Sequence, residues 1–264
     1  MQRIEDQHYL RHYQYRTPER LAARAELHKR FGTNPQGWSS WVFDQLGLRT
    51  GQRVIEVGAG PGWLWRTNRE RLPDGLRVVV SDVSMGMVSE SRTALEGSSS
   101  FAFTVLDVAA IPCPDDTFDV AIANHMLYHV PNLAEAVNEL GRVLRPGGQL
   151  FAATNGASHL RELHELIHRV EPHYSANAVR SGAFQLENAS DVLRSLGQVQ
   201  VRMFPDSLWV TEPEPLVAYA SSLWDTEDVI GTPAADALRA LIRERIRADG
   251  GIRITKETGL VVTA

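Results

Sequence analysis

Cysteine is nearly absent from this chain, with one residue, Cys113, in 264. No internal disulfide is possible, and a reducing compartment is the expectation. Cys113 lies between Pro112 and Pro114 and reads as a loop thiol without a catalytic role. Long apolar runs are missing too. Nothing approaches the roughly 20 apolar residues of a membrane-spanning helix, and Met1 to Arg20 is polar and charged, unlike a secretory leader. Positive charge is in deficit, since 27 lysines and arginines against 32 acids leave a net charge of −5. That balance argues against nucleic-acid binding through a basic face. Repeats and low-complexity segments are also lacking. What is present, 43% hydrophobic and 22% charged residues, suits an ordinary globular protein. The expectation is a cytoplasmic protein with neither membrane nor nucleic acid as partner.

The organisation is an alternation of strands and helices, which predicts a doubly wound parallel α/β sheet. Strands are expected near Arg53–Val57, Arg77–Ser81, Phe101–Leu106, Phe118–Ala123 and Gln149–Thr154. Helices fall between them at Gly62–Arg71, Ser84–Leu95 and Leu133–Leu144, the last stopped by Arg145-Pro146-Gly147-Gly148. Ahead of the sheet, Thr17-Pro18 opens one helix and Trp38 to Leu46 forms a second. Beyond it, Ser158–Val170 and Ala189–Leu196 read as helices and Gln198–Phe204 as a strand. A helical insertion follows at about 205–250, with a helix running from Thr232-Pro233 to Gly250-Gly251. Two alternating runs, Gly251–Thr255 and Gly259–Thr263, are expected to pair as a terminal hairpin.

The chemistry concentrates at Val54-Ile55-Glu56-Val57-Gly58-Ala59-Gly60-Pro61-Gly62. Apolar β-branched residues make a buried strand, and alternate glycines then let backbone approach a ligand closely. A helix-like run follows, so the turn opens at a helix N-terminus. Asp82 stands twenty positions beyond Gly62, after Leu76-Arg77-Val78-Val79-Val80, where a carboxylate would hold a ribose diol. A dinucleotide loop would be G-x-G-x-x-G, but the sixth position here is Trp63 and the third glycine comes one residue early.

The spacing E-x-G-x-G-x-G from Glu56 resembles the first motif of class I S-adenosylmethionine (SAM) methyltransferases. The likeness continues through Asp107 in Val105-Leu106-Asp107-Val108, through Asp119 opening Phe118-Asp119-Val120-Ala121-Ile122-Ala123-Asn124-His125, and through Glu139 to Leu150. It covers about residues 45–155 and is similar to the small-molecule enzymes of ubiquinone and menaquinone biosynthesis. The resemblance implies a mostly parallel seven-stranded sheet with an antiparallel last strand, N-terminal helices (1–47) and a methyltransferase domain (48–264). Segments at about 156–187 and 205–250 would roof the acceptor. It implies S-adenosyl-L-methionine as cofactor and a small-molecule acceptor. Glu56, Gly58, Ala59, Gly60, Gly62 and Asn124 would surround the cofactor, Asp82 its ribose and Asp107 its adenine amino group. Val83, Met85 and Val108 would sandwich the adenine. Two other readings stay open: a SAM-binding protein with different chemistry or none, and an NAD(P)-dependent oxidoreductase.

Methyl transfer needs alignment above all; a base is required only for an acceptor that must lose a proton. The candidates follow the fourth strand, where open α/β sheets place ligands. They are His125 and His129 as catalytic groups, with Tyr128, Asn155, Tyr9 and Tyr13 as substrate contacts. Trp209, Tyr219 and Trp224 are candidate wall residues. His164-Glu165-Leu166-Ile167-His168 spells the H-E-x-x-H zinc signature, but Leu160, Leu163, Ile167 and Val170 claim that helix's apolar stripe. No metal is expected there.

Overall fold

The computed structural model describes residues 19–174, 182–223 and 232–263. The expected arm residues Tyr9 and Tyr13, the Thr17-Pro18 start and Trp224 lie outside them.

Seven strands form one sheet: β1 (Arg53–Val57), β2 (Arg77–Asp82), β3 (Phe101–Val105), β4 (Phe118–Asn124), β5 (Leu144–Asn155), β6 (Val199–Met203) and β9 (Thr258–Thr263). Their order is β3-β2-β1-β4-β5-β9-β6. Pairings among the first five are parallel, and β9 runs antiparallel to both β5 and β6. This is the sheet the sequence implied. β1 and β4 are buried nearly end to end, as parallel strands covered on both faces must be.

The faces are covered differently. On one, α2 (Trp38–Leu46), α3 (Trp63–Thr67) and α4 (Met85–Ala94) pack Val42, Leu46, Leu64, Trp65 and Leu95 onto Val54, Val78, Val80 and Ile122. On the other, α5 (Leu133–Val143) and α7 (Ala189–Leu193) bring Val137, Leu140 and Leu193, joined by Phe184 from the segment before α7, onto Ile55, Val57, Ala121 and Leu150. The helix starts follow local chemistry: the Ser84 hydroxyl accepts from Met87 N–H and the Asn132 side chain from Glu135 N–H.

A second core lies apart from the seven-stranded sheet. It joins α1 (Glu19–Phe31), α6 (Arg161–Val170), α8 (Pro213–Leu223) and α9 (Pro233–Asp249) with a two-stranded sheet of β7 (Ser207–Val210) and β8 (Ile252–Thr255). Leu27, Leu163, Ile167, Leu208, Leu216, Leu238 and Ile254 are buried together there. Thr232 caps α9 and left-handed Gly250 ends it, as its sequence signals require.

The terminal hairpin does not form. β8 pairs with β7, a four-residue strand, while β9 crosses into the main sheet. All six residues of β9 are buried, because it lies inside the sheet rather than at an edge. Period-two alternation identifies a strand but carries no information about its partner. The helix expected over Gly62–Arg71 is also broken, into α3 and a 3₁₀ turn at Arg69–Arg71.

Candidate active site

The glycine turn leaves β1 with Gly58, Gly60 and Gly62 at φ +62°, +56° and +74°, a region that side chains rarely adopt. Gly58 has a second requirement. A Cβ built there would lie 2.7 Å from Cβ and Cγ of Met126, so the loop after β4 closes directly over it. Ala59 N–H bonds to the Ser81 carbonyl at 2.9 Å, which fixes the turn against the end of β2.

Asp82 ends β2 beside that turn. One of its oxygens accepts from Gly60 N–H at 3.0 Å and the other from Ser84 N–H at 2.8 Å. Burial pushes its carboxyl above the ordinary aspartate range, and the N–H donors from Ser84 and Gly60 pull the other way. The Val83 N–H also bonds the carboxylate, and two carboxylate oxygens have acceptor capacity beyond three bonds. Asp107, after β3, folds back to accept from Ala109 N–H at 3.0 Å. Between them, Val83 is partly buried and Met85 is 69% exposed, an open apolar wall. Val108 is packed in the core with Ile111, which leaves Val83 and Met85 as the more open of the three.

Glu56 has a different place from its neighbours. It is 1% exposed, and Trp65 Nε1 donates to Oε2 at 2.5 Å. Burial pushes its carboxyl up to about 8, with Trp65 opposing and the nearby Asp82 adding. In the described contacts the Glu56 side chain is tied to α3 through Trp65.

At the end of β4, Asn124 Oδ1 accepts from Trp38 Nε1 at 3.1 Å. His125 is held at φ +58°, with its N–H on the Ala153 carbonyl at 3.3 Å and its ring 5.0 Å from that of Trp38. Non-glycine residues in this conformation cluster at functional sites. Burial, Lys256 and His129 push His125 down to about 4. Tyr128 and His129 follow on a 3₁₀ turn, ring centroids 4.5 Å apart. Asn155, ending β5, accepts from Thr258 Oγ1 at 2.6 Å, and His159 Nδ1 lies 3.3 Å from that hydroxyl.

The structure adds a group of residues that sequence reasoning missed. Lys256 and Asp206 form an ion pair with side chains 7% and 3% exposed. The other Asp206 oxygen accepts from the N–H groups of Thr33, Asn34 and Ser207 at 2.8 to 2.9 Å. These contacts hold Asp206 below the usual carboxylate range against its burial. Lys256 Nζ also sits 5.2 Å from the centre of the Phe204 ring, and Phe204 is 5.4 Å from Trp38. Next to this lies His28 of α1, its ring 5.9 Å from His159 and edge-on to Tyr219 at 5.8 Å. Burial, then Lys256 and His125, push His28 down to about 3. Its Nδ1 is buried with no hydrogen-bond partner among the described residues.

Residues 55–152 match the family profile described as a methyltransferase domain. The ubiquinone/menaquinone biosynthesis C-methyltransferase of Cellvibrio japonicus is 27% identical over 172 residues, 64% of this chain and 67% of that one. Such relatives are matched over 46% to 67% of their own length. A putative methyltransferase from an antibiotic biosynthesis pathway of Anabaena variabilis superposes with a TM-score of 0.62 at 16% identity, over 86% of this chain and 96% of that one. A phosphoethanolamine N-methyltransferase of Haemonchus contortus, in complex with phosphomonomethylethanolamine and S-adenosylhomocysteine, gives 0.59 at 18% identity over 98% and 60%.

Residues 55–152 of this chain carry a methyltransferase domain.

The remaining motifs fall into place around that domain. The H-E-x-x-H histidines of α6 both turn to Tyr174: His164 Nδ1 lies 2.5 Å from its hydroxyl and His168 Nδ1 3.4 Å from its carbonyl. Among the described residues no group of three or more His, Cys, Asp or Glu could hold a metal ion. Of the candidate wall residues, Tyr219 reaches the buried cluster. Trp209 is 41% exposed, on the outside of the small sheet against Gly251. Arg239 and Arg243 pair with Glu214, and Arg239 also with Asp236. No described helix is long and apolar enough to cross a membrane.

Proposed function

We propose that this protein transfers a methyl group from S-adenosyl-L-methionine to a small-molecule acceptor bound beneath the lid. The observation that carries the reading is the Asp82 carboxylate, fixed by Gly60 and Ser84 N–H beside a turn whose Gly58 backbone excludes any side chain. A glycine turn with an oriented carboxylate at the end of the second strand suits a nucleoside. The residues present fit the cofactor: Asp82 for the ribose hydroxyls, Asp107 for the adenine edge, Val83 and Met85 for its faces, and Gly58, Gly60 and Asn124 for the amino-acid end. When bound, SAM supplies a methyl group on a sulfonium, a good leaving group.

The chain's own work is alignment. The strained backbone at His125 and the Trp38–Asn124 bond fix the end of β4 against α2. Near-attack positioning of this kind contributes roughly 7–11 kcal/mol. The low-lying His125 is neutral at pH 7 and a weak proton acceptor, so it serves as a hydrogen-bonding wall. Calorimetric titration with SAM, S-adenosylhomocysteine and NAD tests the cofactor, and methyl release from labelled SAM over a metabolite panel tests the reaction. Binding of NAD in place of SAM, or SAM binding with no methyl transfer to any small molecule, would reject it.

A further inference from the structure

We infer that Arg142 is a positioning residue for the cofactor's adenine: by holding Ile111 and Cys113 it fixes the loop that carries Asp107, and so sets how sharply the protein tells adenine from a purine lacking the amino group. The inference rests on the methyltransferase reading, with Asp107 at the adenine edge, and goes beyond it by assigning the group that aims Asp107.

The loop between β3 and β4 is poorly equipped to hold itself. Pro112 and Pro114 have no N–H to donate, and the Cys113 N–H bonds back to the Ile111 carbonyl at 2.8 Å. Support comes from α5. Arg142 Nη2 donates to the Ile111 carbonyl at 2.9 Å, and Nη1 donates to the Cys113 carbonyl at 2.8 Å and to Asp115 Oδ1 at 2.7 Å. Glu139 orients the guanidinium through two bonds of 2.7 Å, and its Oε2 also accepts from Ile111 N–H at 2.8 Å. A planar fork makes this set of bonds, whereas a lysine ammonium brings a single nitrogen. Asp107 stands four positions before Ile111, and the chain between them is taut. Ala109 N–H donates to Asp107 Oδ1 and Ala110 N–H to the Asp107 carbonyl, both at 3.0 Å, while Val108 and Ile111 are buried in the core. A shift at Ile111 is therefore passed to the Asp107 carboxylate, and a hydrogen bond weakens steeply with misalignment. Asp82 and the glycine turn are fixed by Gly60 and Ser84 N–H, without Arg142. Loss of Arg142 falls on the adenine and spares the ribose.

The test uses the full chain and two probes, S-adenosylhomocysteine and S-inosylhomocysteine, which carries a carbonyl where adenine carries its amino group. Calorimetry should give the parent protein a preference of about tenfold or more for S-adenosylhomocysteine, the scale of one hydrogen bond to a charged group. Arg142→Gln and Arg142→Lys should each weaken S-adenosylhomocysteine about fivefold or more and leave S-inosylhomocysteine within about twofold, so that the preference shrinks. In an Asp107→Ala background, Arg142→Gln should cost S-adenosylhomocysteine no more than about twofold further, because the two residues act through one contact. A residue that merely supports the fold would weaken both probes alike and would add its loss to that of Asp107→Ala. Either of those results, or unaltered affinities in the folded variants, would overturn the inference. Glu139→Gln, which removes one of the guanidinium's supports, carries the same expectations should the arginine variants fail to fold. A parent protein that binds both probes alike would overturn the inference and leave the cofactor reading standing. One that binds neither would reject the methyltransferase reading, and the inference with it.

Discussion

Gly60 N–H donates to one oxygen of Asp82 while Ser84 N–H donates to the other. The carboxylate is thereby aimed before any ligand arrives, and its orientation costs nothing at the moment of binding. Asp82→Ala should weaken SAM at least tenfold, about 1.4 kcal/mol, with an unchanged far-UV signal. Unaltered affinity in the folded variant would remove Asp82 from the cofactor site.

Gly58→Ala should do more damage than a usual glycine replacement. It combines a left-handed backbone with a Cβ placed 2.7 Å from Met126. The expected loss is about 2 kcal/mol or more of stability, together with loss of SAM binding. Because Met126 Cβ is itself one of the clashing atoms, Met126→Gly should recover part of the stability and Met126→Ala much less. Denaturant melts of the single and double variants decide it.

His125→Ala and His129→Ala should each lower kcat by less than about a hundredfold, the scale of assistance rather than of an indispensable base. A pH–rate profile on the true acceptor should keep its limbs in both variants. A loss approaching 10⁴-fold with intact SAM binding would make that histidine the general base.

The pH dependence of stability has a computable sign. His28 and His125 are depressed in the fold, to about 3 and about 4. The unfolded chain therefore protonates first as pH falls below about 6.5, and stability drops by roughly 1.4 kcal/mol per unit for each histidine. Glu56, raised to about 8, has the opposite sign. Its contribution is present below the unfolded value and fades as pH rises to about 8, and Asp82, also raised, adds to it. Stability should peak near pH 6.5 and fall on both sides. In thermal melts across pH 4.5–8.5, His28→Leu should flatten the acid side and Glu56→Gln the alkaline side. A monotonic curve in the parent protein would contradict this balance.

Because His164 and His168 are engaged with Tyr174, purified protein should carry no stoichiometric zinc and chelators should leave its activity unchanged. Elemental analysis giving one zinc per chain, lost in His164→Ala, would revive the metal reading of that helix.

The cofactor half of the site was legible because its parts are local. A strand, a glycine turn and a carboxylate at a fixed distance appear in the sequence as they do in space. The lid half was not. His28, Trp38, His159, the near neighbours Phe204 and Asp206, Tyr219 and Lys256 come from six separate stretches, and of them only Tyr219 stands out as a candidate site residue. Lys256 falls between two alternating runs with nothing to single it out, and its partner Asp206 lies before β7, a strand too short to show a period. Val108 lies in the core cluster, since adjacency to Asp107 in sequence does not decide which way a side chain packs.

The separation of β8 from β9 gives the lid a topological character of its own. β6 ends at Met203, and its neighbour in the sheet, β9, begins at Thr258. Everything between is one excursion out of the main sheet and back, in the position where two antiparallel neighbours would otherwise be joined by a tight turn. Closing an excursion of about fifty residues in place of a turn of about four costs roughly 2 kcal/mol in chain entropy. Burial of Leu208, Leu216, Leu238 and Ile254 in the second core acts against that cost. The excursion is thus a replaceable cassette: a short turn from Met203 to Thr258 would leave every strand pairing of the seven-stranded sheet available. Such a miniature should retain its grip on the cofactor while losing its discrimination among acceptors.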